Sequence, residues 1–410
     1  MAGKKLGDVY RETGTDNFPE QMTITIGHEK TTYRKREWKT EGEKEGLRYG
    51  DNPGQEAALY EPVNGRFNGY AGTGDGIISS LTENDCLETG KHLSKSNFTD
   101  LDSALNILKY FDEPTVVIMK HNNPSGVASR NSVKEAYVAA NDTDRIAAYG
   151  GVVAANAGID AGTASEICRN FVEVVAAPSF GKAAKDMLAQ KKNMRLLTIQ
   201  EISKLADYRK KRYLEFKALL DGGIIVQQSA DNELSAKNLM DAEAEYKKKA
   251  YAVKRKPTAG EIDDMLFSWK VVQGVISNSM VFVKGKTTVA IGTGEQDRVG
   301  ATELAIAKAY KKAADRVCFQ MYGIPLWEMK ENEKIAAIEK EVEATKAGLK
   351  GSVLASDGFL PFRDTVDVAA KVGVTAIIQP GGSARDYQSI EACNEHGIAM
   401  AFTGKRVFRH

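Results

Sequence analysis

Short apolar runs alternate with longer amphipathic stretches from about residue 40 to the end of the chain. TVVIM, closed by Lys120, predicts a buried strand over 115–120. SVKEAYVAAND (132–142) has helical spacing, and GGVVAANAG (150–158) holds another strand, so the segment reads as a strand–helix–strand unit. FVEVVAAP (171–178) gives a further strand, ended by Pro178, and GGIIVQQ (222–228) reads as one more strand of the same lobe. In the second half, NSMVFVKGKTTVAIGTG (278–294) predicts a hairpin around Lys284-Gly285. ATELAIAKAYKKAADRV (301–317) predicts a helix, and VTAIIQPGGSARDYQSIEACNEHGIAMAFTG reads as strand, Gly-rich turn, helix, strand. This grammar is that of an α/β protein with two similar lobes, at 41–230 and 263–410, and suggests an internal duplication.

Residues 1–40 are polar and weakly patterned and are expected to form an arm. The stretches 181–220 and 233–262 are rich in Lys, Glu, Ala and Leu, which predicts a helical insertion from about 181 and a helical linker over 231–262. Their basic runs, YRKKRYLEFK and EYKKKAYAVKRK, read as solvated faces, because no aromatic platform for stacking bases accompanies them.

Composition removes several classes. The net charge of +1 gives no reason to expect a polyanionic partner, nucleic acid included. No apolar run approaches the ~20 residues that span a bilayer, and the first residues hold no apolar signal segment, so a cytoplasmic protein is expected. Cys86, Cys168, Cys318 and Cys393 are scattered, and the five histidines show no i,i+4 pair, so no metal is expected from Cys/His spacing. A Walker-type G-x-x-x-x-G-K-[ST] is absent, and AGTGDG (71–76) lacks the spacing of a dinucleotide loop.

Chemistry gathers at three places. Lys120-His121-Asn122-Asn123-Pro124-Ser125-Gly126 follows a strand, where open α/β sheets place their sites; His121 can exchange protons near neutrality and Lys120 can stabilise an anion. Asn-Pro is expected to set the turn. ASDGFLPFRDTVDVAAKVGV (355–374) puts acids, an arginine and two phenylalanines before a helix beginning near Thr365, with Asp364 as its expected N-cap. GTGEQDR (292–298) presents Arg298 after the hairpin, and QPGGSARD (379–386) could form an amide nest for an anion. The terminal FTGKRVFRH, with Val407 and Phe408, suggests a strand that is tied down.

Taken together, LRYGDNPGQEAALY, LSKSNFTDLDSAL, KHNNPSGVA, AYGGVVAAN, FVEVVAAP, SNSMVFVKGKTTVAIGTGEQDR, SDGFLPFRDTVDVAAKVGV and QPGGSARD…FTGKRVFRH resemble, in order, the formyltransferase portion of the AICAR transformylase/IMP cyclohydrolase family over roughly residues 40–410. The resemblance implies a duplicated cytidine-deaminase-like α/β fold without zinc. It implies transfer of a formyl group from 10-formyltetrahydrofolate to the 5-amino group of AICAR, giving FAICAR. It further implies His121 as proton acceptor, Lys120 as oxyanion stabiliser or proton donor, and Asn278 as the residue orienting the nucleotide. Arg48, Tyr49, Gly150, Glu173, Arg298, Phe359 and Arg406 carry over to nucleotide binding, and Tyr149 and Asp364 to the folate side. A homodimer with shared sites is implied, and the family admits a potassium ion near 278–300 and the C-terminal strand.

The sequence also departs from the family's pattern. Only about 40 residues precede the match, so cyclisation of FAICAR is not expected of it. Gly54 replaces the His of N-P-H-Q, Asp297 stands where Ser usually precedes Arg298, and Ser125 replaces a frequent Cys. Three alternatives stay open: a zinc deaminase or hydrolase of the same fold, a nucleotide-binding module without turnover, and the same acceptor served by a non-folate donor such as formyl phosphate.

Overall fold

A computed structural model describes residues 16–40, 43–52, 55–64, 76–82, 84–88, 93–230 and 232–410. Gly54 and most of AGTGDG lie outside these residues, as do the first 15 positions of the expected arm. The chain divides into two compact units, Met1–Tyr110 with Val152–Asp231, and Phe111–Gly151 with Asn232–His410. The contiguous lobes expected at 41–230 and 263–410 are therefore corrected, because residues 111–151 group with the second half of the chain.

The reason is visible inside that second unit. Strands β1 (Thr115–Lys120) and β2 (Asn123–Ser129) form an antiparallel hairpin followed by helix α1 (Val133–Thr143). After α2 (Ala259–Val272), the same succession recurs: β3 (Met280–Val283) and β4 (Thr288–Gly292) pair antiparallel and lead into α3 (Arg298–Tyr322). β2 meets the residue just before β4 through an isolated bridge between Ala128 and Thr287. The Val127 N–H donates to Thr288 Oγ1 at 2.9 Å, and Thr143 Oγ1 donates to the Thr288 carbonyl at 2.7 Å. These bonds satisfy backbone groups that would otherwise be buried unpaired, so 111–151 closes onto partners some 150 residues away.

The sheet continues from β3 through β5 (Val353–Ser356), and, past helix α4 (Asp364–Lys371), through β6 (Ala376–Gln379); past α5 (Asp386–His396) it reaches β7 (Ala399–Phe402). β5, β6 and β7 are parallel, and β3 runs antiparallel to β5. Every residue of β3, β5, β6 and β7 is buried, which is why MVFV, VLAS, AIIQ and AMAF are nearly unbroken apolar runs rather than alternating ones.

In each hairpin–helix succession the second strand carries a glycine under a helix carbonyl. A Cβ on Gly126 would sit 1.9 Å from the Ala140 carbonyl oxygen, and one on Gly292 would sit 2.0 Å from that of Ala301. Only a hydrogen fits between strand and helix at these points.

In the first unit, strands Val172–Ala177 and Arg195–Thr198 are parallel, and Cys86–Glu88 adds antiparallel to the latter. Residues 21–35 are not an arm: Gln21–Ile26 and Glu29–Lys35 form a hairpin that pairs with Tyr60–Asn64. TTYRK alternates, burying Thr31 and Tyr33 on one face, a period-2 signal too short to stand out from its polar surroundings.

The helical insertion and linker are corrected in the same way. Lys182–Leu188 is helical, but Leu214–Ala218 and Ile224–Gln228 form an exposed hairpin, so GGIIVQQ is not a core strand. Glu243–Tyr246 and Lys249–Ala252 form another hairpin, turning on Lys247 and Lys248 at φ 50° and 65°. Helix-forming composition loses here because Tyr246 stacks on Tyr387 and Tyr251 packs against it at a tilt, with centroids 4.3 and 5.3 Å away.

The tail after Phe402 is tied down without being a strand: the Val407 N–H donates to the Asp357 carbonyl at 3.0 Å, and the Ser277 N–H donates to the Arg409 carbonyl at 2.9 Å. No helix among the described residues is long and apolar enough to cross a membrane.

Two substitutions test the glycine contacts. Gly126→Ala and Gly292→Ala should each destabilise by about 1–3 kcal/mol or more, the usual range for overpacking. Gly260→Ala, with nothing within 4 Å of its Cβ on the first turn of α2, should be neutral or slightly stabilising. Equal thermal melting of all three variants and the parent would refute this account.

Candidate functional site

Lys120 and Asn123 pair across the β1–β2 hairpin, leaving His121 and Asn122 as its two-residue turn. Both adopt left-handed backbone, φ 53° and 58°, as a tight type I′ turn requires. Asn123-Pro124 therefore begins a strand instead of setting the turn; proline forces the residue before it into extended backbone, which a strand accommodates as readily as a turn does. The expected strand–helix–strand unit becomes hairpin, helix, strand. His121 is exposed at the tip. The Lys120 ammonium donates to the Tyr149 carbonyl at 2.6 Å, placing it beside the exposed Tyr149 and the positive-φ Gly150.

A chain of polar contacts brings Asn278 to the same unit's other loops. Its Nδ2 donates to the Glu295 carbonyl at 3.0 Å, and its Oδ1 accepts from Arg298. The Ser277–Asn278 peptide is cis. Arg298 also faces Asp357, with Nη2–Oδ1 at 3.2 Å and the carboxylate fully buried. Burial pushes the Arg298 guanidinium below its ordinary value; Asp357 opposes that shift and Arg406 adds to it. Both arginines lie against the Phe408 ring, Arg298 at 5.3 Å and Arg406 at 4.3 Å from its centroid. Gly358 makes room for this stack, since a Cβ there would meet Arg298 Nη2 at 1.8 Å, and Phe359 follows it, half exposed.

Asp297 caps α3, its carboxylate accepting from the Gly300 N–H at 2.6 Å. Ser and Asp cap helices about equally well, so this departure keeps the local structure that aims Arg298. Ser125 Oγ bonds the Ile118 carbonyl at 3.3 Å, within the hairpin.

Not every candidate joins this cluster. Asp364 is the first residue of α4 rather than its N-cap, which is Arg363, and its carboxylate accepts from the Thr365 N–H at 2.7 Å. The amides of QPGGSARD are already taken: Gly382 and Ser383 donate to Asp386 at 2.8 and 3.0 Å. Burial pushes the Asp386 carboxyl up, and these two amides oppose the shift. The expected nest is thus filled by the chain's own carboxylate.

Arg48, Tyr49 and Glu173 belong to the first unit. They meet the first turn of its helix Lys95–Leu108: the Lys95 N–H donates to the Tyr49 carbonyl at 3.2 Å, and Asn97 Nδ2 donates to Glu173 at 3.0 Å. Arg48 is buried, its guanidinium 4.8 Å from the Tyr49 ring centroid, and its Nε finds no hydrogen-bond partner among the described residues.

Asp357 Oδ1 and Ser279 Oγ are also buried without a hydrogen-bond partner there. Oxygens of this kind suit a hard cation. No group of three or more His, Cys, Asp or Glu able to hold a metal occurs among the described residues.

Sequence reasoning missed Asn123, Thr293, Asp357 and Arg409 as site-building residues. Asp357 stood inside ASDGF and Asn123 inside the His121 motif, but nothing in either stretch names a partner, 59 positions away for Asp357 and 153 or more for Asn123.

The chain matches the model of the AICARFT/IMPCHase bienzyme family over residues 15–308. It is 39% identical over 399 residues to the bifunctional purine biosynthesis protein PurH of Acetivibrio thermocellus, covering 97% of this chain and 63% of that protein. It is 40% identical over 400 residues to the protein of the same name from Persephonella marina, covering 96% and 62%. The chain thus spans somewhat under two thirds of the length of these relatives. On the extent of the family match and the order of its motifs, the chain belongs to the AICARFT/IMPCHase bienzyme family.

Proposed function

We propose that this chain transfers a formyl group from 10-formyltetrahydrofolate to the 5-amino group of AICAR. The observation that carries the reading is the exposed His121 on a tight left-handed turn, in a chain of this family, beside the Lys120–Tyr149 contact and the Asn278–Arg298–Asp357 chain. The amine nitrogen attacks the formyl carbon and loses its proton to His121. The C–N10 bond of the donor then breaks, and N10 takes a proton as tetrahydrofolate leaves. Lys120 stabilises the formyl oxygen as it becomes an oxyanion, or supplies the proton to N10. Asn278 orients the nucleotide; Arg298 and Arg406, stacked on Phe408, offer fixed cations to its anionic groups, as does the incompletely paired Arg48. Tyr49, Gly150, Glu173 and Phe359 complete nucleotide binding, and Tyr149 and Asp364 serve the folate side. The proposal assigns formyl transfer, not ring closure, to this chain.

The duplicated cytidine-deaminase-like architecture is part of the proposal, supported by the two hairpin–helix successions with their matching glycines. So is a homodimer, supported by the exposed apolar Leu220, Ile224, Ile225 and Val226. Potassium is proposed beside Ser279 and Asp357, where it would engage the buried Ser279 oxygen and share the Asp357 carboxylate with Arg298.

Purified protein given both substrates should release tetrahydrofolate. His121→Ala should lower kcat by about 10²–10⁴-fold, the range of a general base. Absence of wild-type turnover across salts that include potassium would overturn the assignment, whereas a near-normal His121→Ala rate would overturn only the proton-transfer role. Turnover with formyl phosphate instead of the folate would correct the donor. For the cation, exchanging potassium for tetramethylammonium should depress activity, and Asp357→Asn should abolish the difference. Equal rates in the two salts would dismiss the potassium proposal.

A further inference from the structure

We infer that Asn123 and Arg409 are positioning residues that hold the His121 turn in register with the Asn278 segment. The inference rests on the formyl-transfer reading and names what makes its geometry possible.

The turn does not hold itself. Asn-Gly is the favoured type I′ pair, and here His and Asn occupy both left-handed positions. Such residues cost of order 1–3 kcal/mol each and persist where the surroundings over-determine them. Two side chains supply part of those surroundings. Asn123 Oδ1 accepts from the Ile276 N–H at 3.0 Å and lies 2.9 Å from the Thr293 hydroxyl. Its Nδ2 reaches back to the His121 carbonyl at 3.4 Å. Arg409 Nη1 donates to the Asn122 carbonyl at 3.0 Å and to the Gly274 carbonyl at 2.6 Å. Its own carbonyl accepts from the Ser277 N–H at 2.9 Å, next to Asn278.

Each residue thus bonds the turn on one side and the 274–278 segment on the other. Most of the groups they grip are backbone, so what they set is the distance and angle between two chain segments. Both spend these polar atoms on protein. They act on the reaction through the placement of His121 and Asn278, and a misplacement of about 1 Å can cost ~10²-fold in rate.

The experiment separates positioning from general support of the fold. Asn123→Ala and Arg409→Ala should each lower kcat by about 10²-fold, leaving the KM for AICAR within about threefold and the melting temperature near that of wild type. Asn123→Asp, which keeps the accepting oxygen, should recover to within about tenfold of wild type; Arg409→Lys, a single ammonium in place of a planar fork, should recover less. The histidine side-chain NMR spectrum gives a readout independent of turnover. His121 should give one sharp resonance in the parent and a shifted or broadened one in both Ala variants.

An active parent with Ala variants at near-parent kcat would overturn the inference and leave formyl transfer standing. Loss of kcat in step with melting temperature, with no recovery in Asn123→Asp, would reduce both residues to structural support and overturn it as well. An inactive parent would count against formyl transfer itself; positioning would then stand or fall on whether the His121 resonance moves.

Discussion

His121 and Asn122 share a two-residue turn in which both backbones are left-handed, φ 53° and 58°, a conformation that costs a residue such as histidine of order 1–3 kcal/mol. Left to the hairpin alone, that turn would relax. It is held because Asn123 ties it to Ile276 and Thr293, and because Arg409 lies between it and Gly274. The other parts of the cluster inherit this arrangement. The segment that receives the turn leads into Asn278, Asn278 accepts from Arg298, and Arg298 faces the buried Asp357.

The same logic explains the grouping of residues 111–151 with the second half of the chain. Thr288 bonds both backbone groups of Val127, and Thr143 bonds the Thr288 carbonyl, so the edges of the two hairpins satisfy one another. A hairpin isolated in water is at best marginally stable, and here each supplies the other's missing neighbour. The glycines at 126 and 292 let the following helices close over these strands. The rigid part of the fold thus ends where the candidate chemistry begins, at the turn after β1 and the loops flanking β3 and β4.

Much of this was legible from residue order. TVVIMK, MVFV and AIIQ are apolar runs that water expels, and each became a buried strand, whereas VLAS went unread until the sheet placed it. The 278–294 hairpin and the helix over 301–317 followed their patterns. Lys/Glu/Ala-rich stretches misled, because intrinsic helix propensity is worth a few tenths of a kcal/mol per residue and Tyr246, Tyr251 and Tyr387 offered more by packing together. The Gly-rich 379–386 turn misled differently: its amides were available in principle, but Asp386, within the same stretch, reached them first.

By itself the sequence determined many of the strands and helices where burial is periodic or continuous, and it marked Lys120, His121 and Arg298 as chemically apt. Those choices are local, set by side chains a few residues apart. Tertiary structure alone decided that His121 sits in a left-handed turn, that Asn123 reaches Ile276, that Arg409 spans Asn122 and Gly274, and that Arg298 meets Asp357. The last three of these join residues separated by roughly 60 to almost 290 positions. Their proximity depends on how hairpins, sheet and tail close on one another, which short-range patterning does not encode.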